Sequence, residues 1–464
     1  MTLKPSTAPS LTSSITPSTA SRTTQLFCAS TLYGAATLAA ALDAGCFPAA
    51  DRRLLLVCNT ATTPETAPAL DEMAGFEPLR DRFDEVLSWN EAISPFHPSA
   101  WSPRPDDVPL LERYLRLLWG LGDDRVEIVL ESVQVNPAQA VAQLFPGAPV
   151  EVYADGLMSY GPTRNKLDPL IGTRVRRLLH LDLVPGLVPL LLTEFGTPAR
   201  IVPAAAFLKV LGQVADAVPD LPPLPDDCAL LLGQYLSALE ILSPKEEEDL
   251  HVRMLRGAVA RGHRAVVFKP HPSAPARYSR ALETEAERLG VRLTVLELPV
   301  LAEVLFVRAR PALVVGCFST ALFTASALYE LPVARTGTES LLERLTPYQN
   351  SNRVPLVLAD ALLADLEDRE DELPVPPQTL TELVQAVGFV MQAQLHPGLR
   401  PVAERYLRSQ LGPRTKRYFK RRRLTSLGLP GGIPERLAFL PHNSTARRVA
   451  QRARALRRTV RRMK

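Results

Sequence analysis

Short apolar runs alternate with helical stretches along most of the chain, and this alternation restricts the possible folds more than any other feature of the sequence. In the first half, the predicted strands are 25–29, 54–58, 83–89, 125–130 and 148–152. A proline-rich segment, 216–227, then interrupts the pattern. In the second half, the predicted strands are 229–233, 265–269, 292–297 and 312–315. Strands that alternate with helices form βαβ units, so the sequence predicts an α/β protein with two Rossmann-like halves.

Length and composition agree with a multidomain globular protein. The 464 residues favour two or three domains, and 46 % hydrophobic and 22 % charged residues are ordinary values. No apolar run in the sequence reaches the roughly eighteen residues that a membrane-spanning helix needs. The five cysteines are scattered without metal-ligand spacing, which predicts buried free thiols in a reducing cytoplasm.

A carboxylate comes directly after the last predicted strand of the first half. The stretch 153–162 (YADGLMSYGP) places Asp155 and Gly156 in a turn at the end of this strand. Asp-Gly is a frequent turn pair, so a plain turn is one interpretation. Ligands of open α/β sheets bind at the carboxyl ends of strands, so a ligand site is the other interpretation.

A histidine occupies the corresponding place after a strand of the second half. His271 lies beside Lys269, between Pro270 and Pro272, and the two prolines stiffen the turn. A histidine next to a lysine suits an oxygen anion such as a phosphate. A capping or core histidine is the alternative.

Two hydroxyl residues begin a predicted helix further along. The stretch 316–320 (GCFST) joins a strand to a helix and places Ser319 and Thr320 at the helix start. Ser and Thr are preferred helix caps. The same geometry directs free backbone N–H groups at any anion bound there, and the two roles are compatible.

These three stretches, in this order, resemble the motifs of bacterial sialyltransferases, and most closely those of the alpha-2,8-polysialyltransferase-like family. Its acidic-acidic-Gly, His-Pro and Ser-Ser/Thr motifs correspond here to Ala154-Asp155-Gly156, His271-Pro272 and Ser319-Thr320. The resemblance covers roughly residues 24–360. Together with the two halves it implies a GT-B-type glycosyltransferase, in which two Rossmann-like domains face a cleft, here with a basic helical C-terminal tail after them.

The resemblance implies transfer of sialic acid, or a related nonulosonic acid, from its CMP-sugar to a glycan hydroxyl. Asp155 would be the general base, while His271 and the Ser319-Thr320 pair would bind the CMP phosphate. The reaction would be an inverting single displacement without a metal or cofactor. One departure matters, because Ala154 stands where related enzymes carry their first acidic residue. Either Asp155 takes the role of base, or the chemistry is altered, or the protein is inactive; we favour the first.

Further contacts are expected around the cleft. We expect the donor to contact Gly156, Gln234, Lys269 and Pro272 as well, and the sugar substrates to contact Ser30, Thr31, Tyr33, Gly34, Tyr160 and Arg164. Arg164 is the candidate partner of the sialic carboxylate, because its guanidinium can bind a carboxylate with two hydrogen bonds.

The sequence divides into six segments on these patterns. They are a disordered leader (1–23), an N-terminal acceptor-side domain (24–215), a linker (216–227), a C-terminal nucleotide-sugar-binding domain (228–365), a helical closing segment (366–412) and a basic tail (413–464).

The charge is distributed very unevenly. Residues 414–464 contain seventeen Lys or Arg and one acid, a net of +16, so the preceding 413 residues carry −12 of the total of +4. In the patch 447–464, apolar residues recur every three or four positions, which fits a cationic helix on an anionic membrane surface. The acidic body argues against nucleic acid as a partner. We therefore expect a cytoplasmic protein, peripheral on the inner face of the membrane; a solvated tail is the alternative.

Two other functions fit the sequence. One is a teichoic-acid-type glycerophosphotransferase that uses a CDP-alcohol and shares the two-domain layout. The other is a non-catalytic CMP- or glycan-binding subunit, which Ala154 keeps open.

Overall fold

The computed structural model of this chain describes residues 22–154, 156–218, 221–225, 227–271, 277–368 and 375–433. Within these residues, two sheets form the two halves of the molecule, and every strand pair in them is parallel. The predicted α/β fold with two Rossmann-like halves is thereby confirmed.

The first sheet belongs to the N-terminal half. Its strands are β1 (Thr23–Ala29), β2 (Arg52–Val57), β3 (Glu85–Ser88), β4 (Arg125–Glu131), β5 (Val150–Tyr153), β6 (Val175–His180) and β7 (Ala199–Ile201). The helices are α1 (Leu32–Asp43), α2 (Glu77–Arg80), α3 (Trp89–Ile93), α4 (Val108–Leu118), α5 (Ala138–Leu144), α6 (Pro169–Gly172) and α7 (Ala204–Asp216). The strand order is β3-β2-β1-β4-β5-β6-β7, so the winding reverses between β1 and β4. A reversal of this kind opens a crevice at the carboxyl ends of the strands.

The second sheet repeats this plan. Its strands are β8 (Ala229–Leu232), β9 (Ala265–Lys269), β10 (Arg292–Val295), β11 (Leu313–Gly316), β12 (Val333–Arg335) and β13 (Ala364–Asp365). The helices are α8 (Pro244–Ala260), α9 (Arg277–Leu289), α10 (Ala302–Ala309), α11 (Thr320–Tyr329), α12 (Thr338–Arg344) and α13 (Arg353–Leu362). The order β10-β9-β8-β11-β12-β13 places the second reversal between β8 and β11.

The apolar core is divided by the first sheet. On the outer face, α3, α4 and α5 contribute Trp89, Leu115 and Val141 to one cluster of buried side chains. On the inner face, α1 and α7 belong to a second cluster that also contains the core of the C-terminal half. Helix α7 packs against α10, so the two halves share this inner core.

The C-terminal helices pack on the body of the molecule. They are α14 (Pro377–Met391), α15 (Arg400–Ser409) and α16 (Arg421–Ser426). The Tyr348 hydroxyl donates to the carbonyl of Tyr418 (2.9 Å), and Arg417 lies 2.9 Å from a carboxylate oxygen of the buried Asp360. The first basic patch, 414–423, is therefore part of the folded body, although its charge and position in the sequence predict that it belongs to the tail. The second patch, 447–464, lies outside the described residues.

The cysteines and the apolar character of the helices were also the subject of sequence-based predictions. All five cysteines are buried and have free thiols, as predicted. In the described part of the chain, no helix combines the length and the apolar character that crossing a bilayer requires.

Candidate active site

A cleft of about 480 Å³ lies where the carboxyl ends of the second sheet face the first domain. Its second-domain wall comes from the turns after β8, β9 and β11 and from the start of α10. Its first-domain wall includes Thr31 and Tyr33, at the start of α1, and Leu157 and Met158, after β5. The cleft thus joins the strand ends at which both halves of the sequence carry polar motifs.

The end of β9 contributes a lysine and a histidine to the cleft. Lys269 is buried (7 % exposed), and burial lowers the pKa of its ammonium while the carboxylate of Glu303 raises it. His271 lies at the exposed side of the cleft, where the surrounding protein and then the Lys269 charge lower the pKa of its imidazole. Two cationic or potentially cationic groups therefore face the cavity, which suits a phosphate. Pro272 lies outside the described residues.

The start of α11 forms the adjacent wall. Ser319 is the N-cap of this ten-residue helix, and its hydroxyl accepts a hydrogen bond from the Ala321 N–H (3.3 Å). Ser319 and Thr320 both line the cleft. The cap role is therefore confirmed, and it leaves the positive end of the helix directed at the cleft.

Gln234 comes after β8, at the reversal point of the second sheet. Its side-chain oxygen accepts a hydrogen bond from the Phe318 N–H (3.0 Å). Gln234 lines the cleft and also holds the turn that leads into α11. Its contact with a nucleotide stays a prediction.

The two halves touch each other at their motifs. Thr320 Oγ1 lies 3.5 Å from the Leu157 N–H of the first domain, and a Cβ atom added at Gly156 would overlap the Thr320 side chain. The Tyr33 hydroxyl of α1 lies 3.2 Å from Thr324 Oγ1 of α11. The acidic motif and the Ser-Thr motif, 163 residues apart in the chain, thus meet across the cleft.

Asp155 lies outside the described residues, but the structure explains its neighbour. Ala154 is 4 % exposed and belongs to the outer apolar cluster, and its N–H donates to the Leu179 carbonyl (2.8 Å). A carboxylate at position 154 would have to be buried among apolar side chains, which is costly. The absence of the first acidic residue of the motif is therefore consistent with local packing.

A second carboxylate lies at the reversal point of the first sheet. Glu131 ends β4 and is the register partner of Tyr153 on β5. Its Oε2 accepts a hydrogen bond from the Ser30 N–H (2.8 Å). Sequence reasoning assigned it no role, although an acid at a strand end is the signal that singled out Asp155.

Several expected substrate contacts are not found in the cleft lining. Tyr160 is 1 % exposed; its hydroxyl donates to the Leu181 carbonyl (3.4 Å) and accepts from the Val184 N–H (3.2 Å). Burial raises the pKa of Tyr160 to about 12. It is a core residue, and its expected contact with substrate is a mistaken inference from its place after the strand.

Three other residues of that prediction have local structural roles. Gly34 is buried in the first turn of α1, where its N–H donates to Thr31 Oγ1 (3.0 Å), and Thr31 caps the helix. The Ser30 N–H is bound by Glu131. The side chain of Arg164 is exposed, and its backbone is held by Gln134 and Gln392. Of the expected sugar contacts, Thr31 and Tyr33 line the cleft.

Sequence reasoning missed Glu303. It lies in the first turn of α10, lines the cleft and is 3 % exposed. Burial raises the pKa of its carboxyl to about 7, while Lys269 and the Thr324 hydroxyl lower it. In the sequence Glu303 resembles any acid in the first turn of a helix, where acids are common, so no signal distinguished it.

The described residues contain no group of three or more His, Cys, Asp or Glu side chains that could hold a metal ion.

Two Rossmann-like domains that face each other across a cleft, each with polar residues at its strand-order reversal, form the architecture called GT-B. The profile of the alpha-2,8-polysialyltransferase family matches residues 25–337, more than half of the chain. The chain belongs to this family and is a glycosyltransferase of sialyltransferase type.

Solved structures with similar folds include sialyltransferase and MurG structures. The GT-B domain of a sialyltransferase from Photobacterium damselae is 13 % identical, with a TM-score of 0.36, over 73 % of this chain and 96 % of that one. MurG from Acinetobacter baumannii is 12 % identical, with a TM-score of 0.38, over 85 % of this chain and 97 % of that one. No curated protein matches the sequence significantly.

Proposed function

We propose that this enzyme transfers a sialic acid, or a related nonulosonic acid, from its CMP-sugar to a hydroxyl of a glycan acceptor. The proposal rests mainly on one observation, which is that Lys269, His271 and the start of α11 line the same cleft. A cation, an imidazole and a helix N-terminus together are suited to the phosphate of a nucleotide monophosphate sugar. The first domain then supplies the acceptor side of the reaction.

In the proposed reaction, the acceptor oxygen bonds to the anomeric carbon as the bond from that carbon to the phosphate oxygen breaks. CMP leaves with the electron pair, and the acceptor proton passes to a carboxylate base. Lys269, His271 and the N–H groups at Ser319 and Thr320 stabilise the charge that develops on the phosphate. A single displacement of this kind inverts the anomeric carbon. Because these groups can meet the phosphate charge, we also propose that no metal ion is required.

The motif assigns the base to Asp155. Glu131, at the reversal point between β1 and β4, is the second candidate, because it lies at the same sheet edge. The two assignments predict different variants to be inactive.

We further propose that the acceptor is a cell-surface polysaccharide, and that the reaction occurs on the cytoplasmic face of the membrane. The cationic stretch 447–464 supports this setting, because its charge and its apolar stripe suit an anionic lipid surface.

The test is CMP release from CMP-sialic acid, with and without crude membrane glycan. Wild type is compared with Asp155→Asn, Glu131→Gln and His271→Ala, and His263→Ala, at the opposite end of β9, is the control. We expect acceptor-dependent release that is lost in His271→Ala and Asp155→Asn and kept in His263→Ala. Removal of a general base usually costs about 10²- to 10⁴-fold in rate.

Each alternative outcome has a defined meaning. If Glu131→Gln is inactive and Asp155→Asn is active, the general base is Glu131 and not Asp155. CMP binding without turnover would favour the binding subunit. Phosphorus in the product made from CDP-glycerol would favour the glycerophosphotransferase.

A further inference from the structure

The turn that follows β8, residues 233–237, contacts both elements of the proposed phosphate site. The Gly233 N–H donates to the carbonyl of Lys269 (2.9 Å). The Gln234 side chain accepts a hydrogen bond from the Phe318 N–H (3.0 Å). The turn therefore connects the end of β9 with the start of α11.

The ring of Tyr235, in the same turn, contacts the histidine of the site. Its centroid lies 6.2 Å from the centroid of the His271 imidazole and 6.4 Å from that of the Tyr278 ring. The Tyr278 hydroxyl in turn lies 2.7 Å from the hydroxyl of Ser237. Tyr235 is half-buried and does not line the cleft, so it contacts the imidazole from the side of the protein interior.

Glu247 holds this turn from within the domain. It lies in the first turn of α8 and is fully buried. Its Oε1 accepts a hydrogen bond from the Leu236 N–H (2.6 Å), and its Oε2 accepts one from the Ser237 N–H (2.9 Å). Hydrogen bonds to an ionised carboxylate are strong, and two of them to adjacent N–H groups hold the backbone of the turn in one orientation.

The start of α8 does not require this buried acid. Ser243 and Glu246 already cap the helix, since the side chain of each accepts a hydrogen bond from the backbone N–H of the other. An acid also stabilises a helix N-terminus from the surface, whereas a buried charge is costly unless donors surround it. The burial of Glu247 is therefore explained by the turn that it holds and not by its own helix.

The charge of Glu247 also acts on the turns after β9 and β11. Burial and the Lys269 ammonium lower the pKa of the His271 imidazole, and the Glu247 carboxylate raises it. Burial raises the pKa of the Cys317 thiol, and the Glu247 carboxylate raises it further. One carboxylate thus lies close to all three turns that form the second-domain wall of the cleft.

We propose that Glu247 is a positioning residue for the site that binds the donor phosphate. By holding the turn 233–237, it orients the His271 imidazole through Tyr235 and the start of α11 through Gln234. Glu247 does not line the cleft, so it acts only through these residues. The inference rests on the proposed transfer from a nucleotide monophosphate sugar and specifies what aligns the two phosphate-binding elements.

The first test is calorimetric titration with CMP, well below the unfolding temperature of each variant. Glu247→Gln keeps the size of the side chain but places an NH₂ group against one of the two backbone N–H groups. We expect CMP to bind about tenfold more weakly, the factor that one charge-assisted hydrogen bond usually contributes.

Glu246→Gln and Asp360→Asn are the matched controls. The first disturbs the start of the same helix. The second disturbs another buried carboxylate, which accepts a hydrogen bond from the Thr338 hydroxyl (2.6 Å) and does not line the cleft. Both are expected to unfold at a lower temperature than wild type and to bind CMP as tightly.

Tyr235→Leu tests the same route without removing a buried charge. We expect it to weaken CMP binding, and we expect its effect to be less than additive with that of Glu247→Gln, because both act through one turn. Fully additive effects would overturn this route from Glu247 to the site.

A measurement without ligand separates this inference from the proposed function. We expect the NMR signal of the His271 imidazole, assigned with His271→Ala, to shift in Glu247→Gln. Its pKa should fall, because a carboxylate that raises it is removed. If wild type does not bind CMP, the proposed function fails, and the His271 signal still decides the role of Glu247. The inference is overturned if that signal is the same in Glu247→Gln as in wild type, or if the controls lose CMP affinity as fully as Glu247→Gln.

Discussion

The contact between Gly156 and Thr320 gives the sharpest prediction about how the two domains meet. Gly156 has φ 167°, an extended conformation that any residue adopts, so alanine causes no backbone strain there. Its added Cβ would instead overlap Thr320 Oγ1 and lie 3.1 Å from Thr320 Cγ2. The effect of Gly156→Ala is therefore a collision between the two domains.

The expected magnitude depends on the size of that collision. One methyl group forced into a closely packed contact usually costs about 1–3 kcal/mol. The domains can relieve the collision by separating, so the cost appears as a loss of the closed arrangement. A cost of about 1–3 kcal/mol changes the ratio of closed to open molecules by about 5- to 150-fold.

The assay combines calorimetry with small-angle scattering. In calorimetry, we expect Gly156→Ala to lower the temperature at which the two domains lose their contact. In small-angle scattering, we expect it to raise the radius of gyration of the protein. Thr320→Ala removes both atoms that collide most closely, so the double variant is expected to recover most of the loss. Gly147→Ala is the control, because a Cβ there meets no atom within 4 Å. The reasoning fails if Gly156→Ala behaves like Gly147→Ala, or if Thr320→Ala restores nothing.

Two other predictions concern the groups between the domains. Burial raises the pKa of Glu303 to about 7 from an ordinary value of 4.5, so stability should fall by on the order of 3 kcal/mol as pH rises through this interval. Glu303→Gln should remove this slope in urea unfolding between pH 5 and 8, and an unchanged slope would refute the assignment. Tyr33→Phe removes the hydrogen bond to Thr324 and should cost about 1 kcal/mol, whereas Phe in place of the exposed Tyr114 should cost nothing measurable. Equal unfolding midpoints for the two variants would contradict this role of Tyr33.

The positions of the motifs could be predicted because the residues at the carboxyl end of a parallel strand lie at a known edge of the sheet. Lys269 ends a predicted apolar strand, His271, Ser319 and Thr320 come shortly after one, and all four line the cleft. The same rule failed for Tyr160. Its place after β5 was right, but the side chain is buried beneath the 181–184 loop, and sequence position alone does not give side-chain direction.

The residues that sequence reasoning missed act through distant partners. Glu303 matters because Lys269 and Thr324 surround it, and these lie 34 residues before it and 21 after it. An apolar pocket of about 440 Å³ lies between α3, α4 and Leu144 of α5, and the motifs give no indication of it.

The sequence by itself determined the two α/β halves, the order of the three motifs and the family to which they belong, because strand periodicity and turn chemistry are local properties. Only the tertiary structure decided that Thr320 packs against Gly156, that Ala154 is a core residue and that Glu303 is buried beside Lys269. These facts depend on how closely two independently formed sheets approach each other. That distance is set by the packing of α7 against α10 and of the inner core, which no local stretch of sequence specifies.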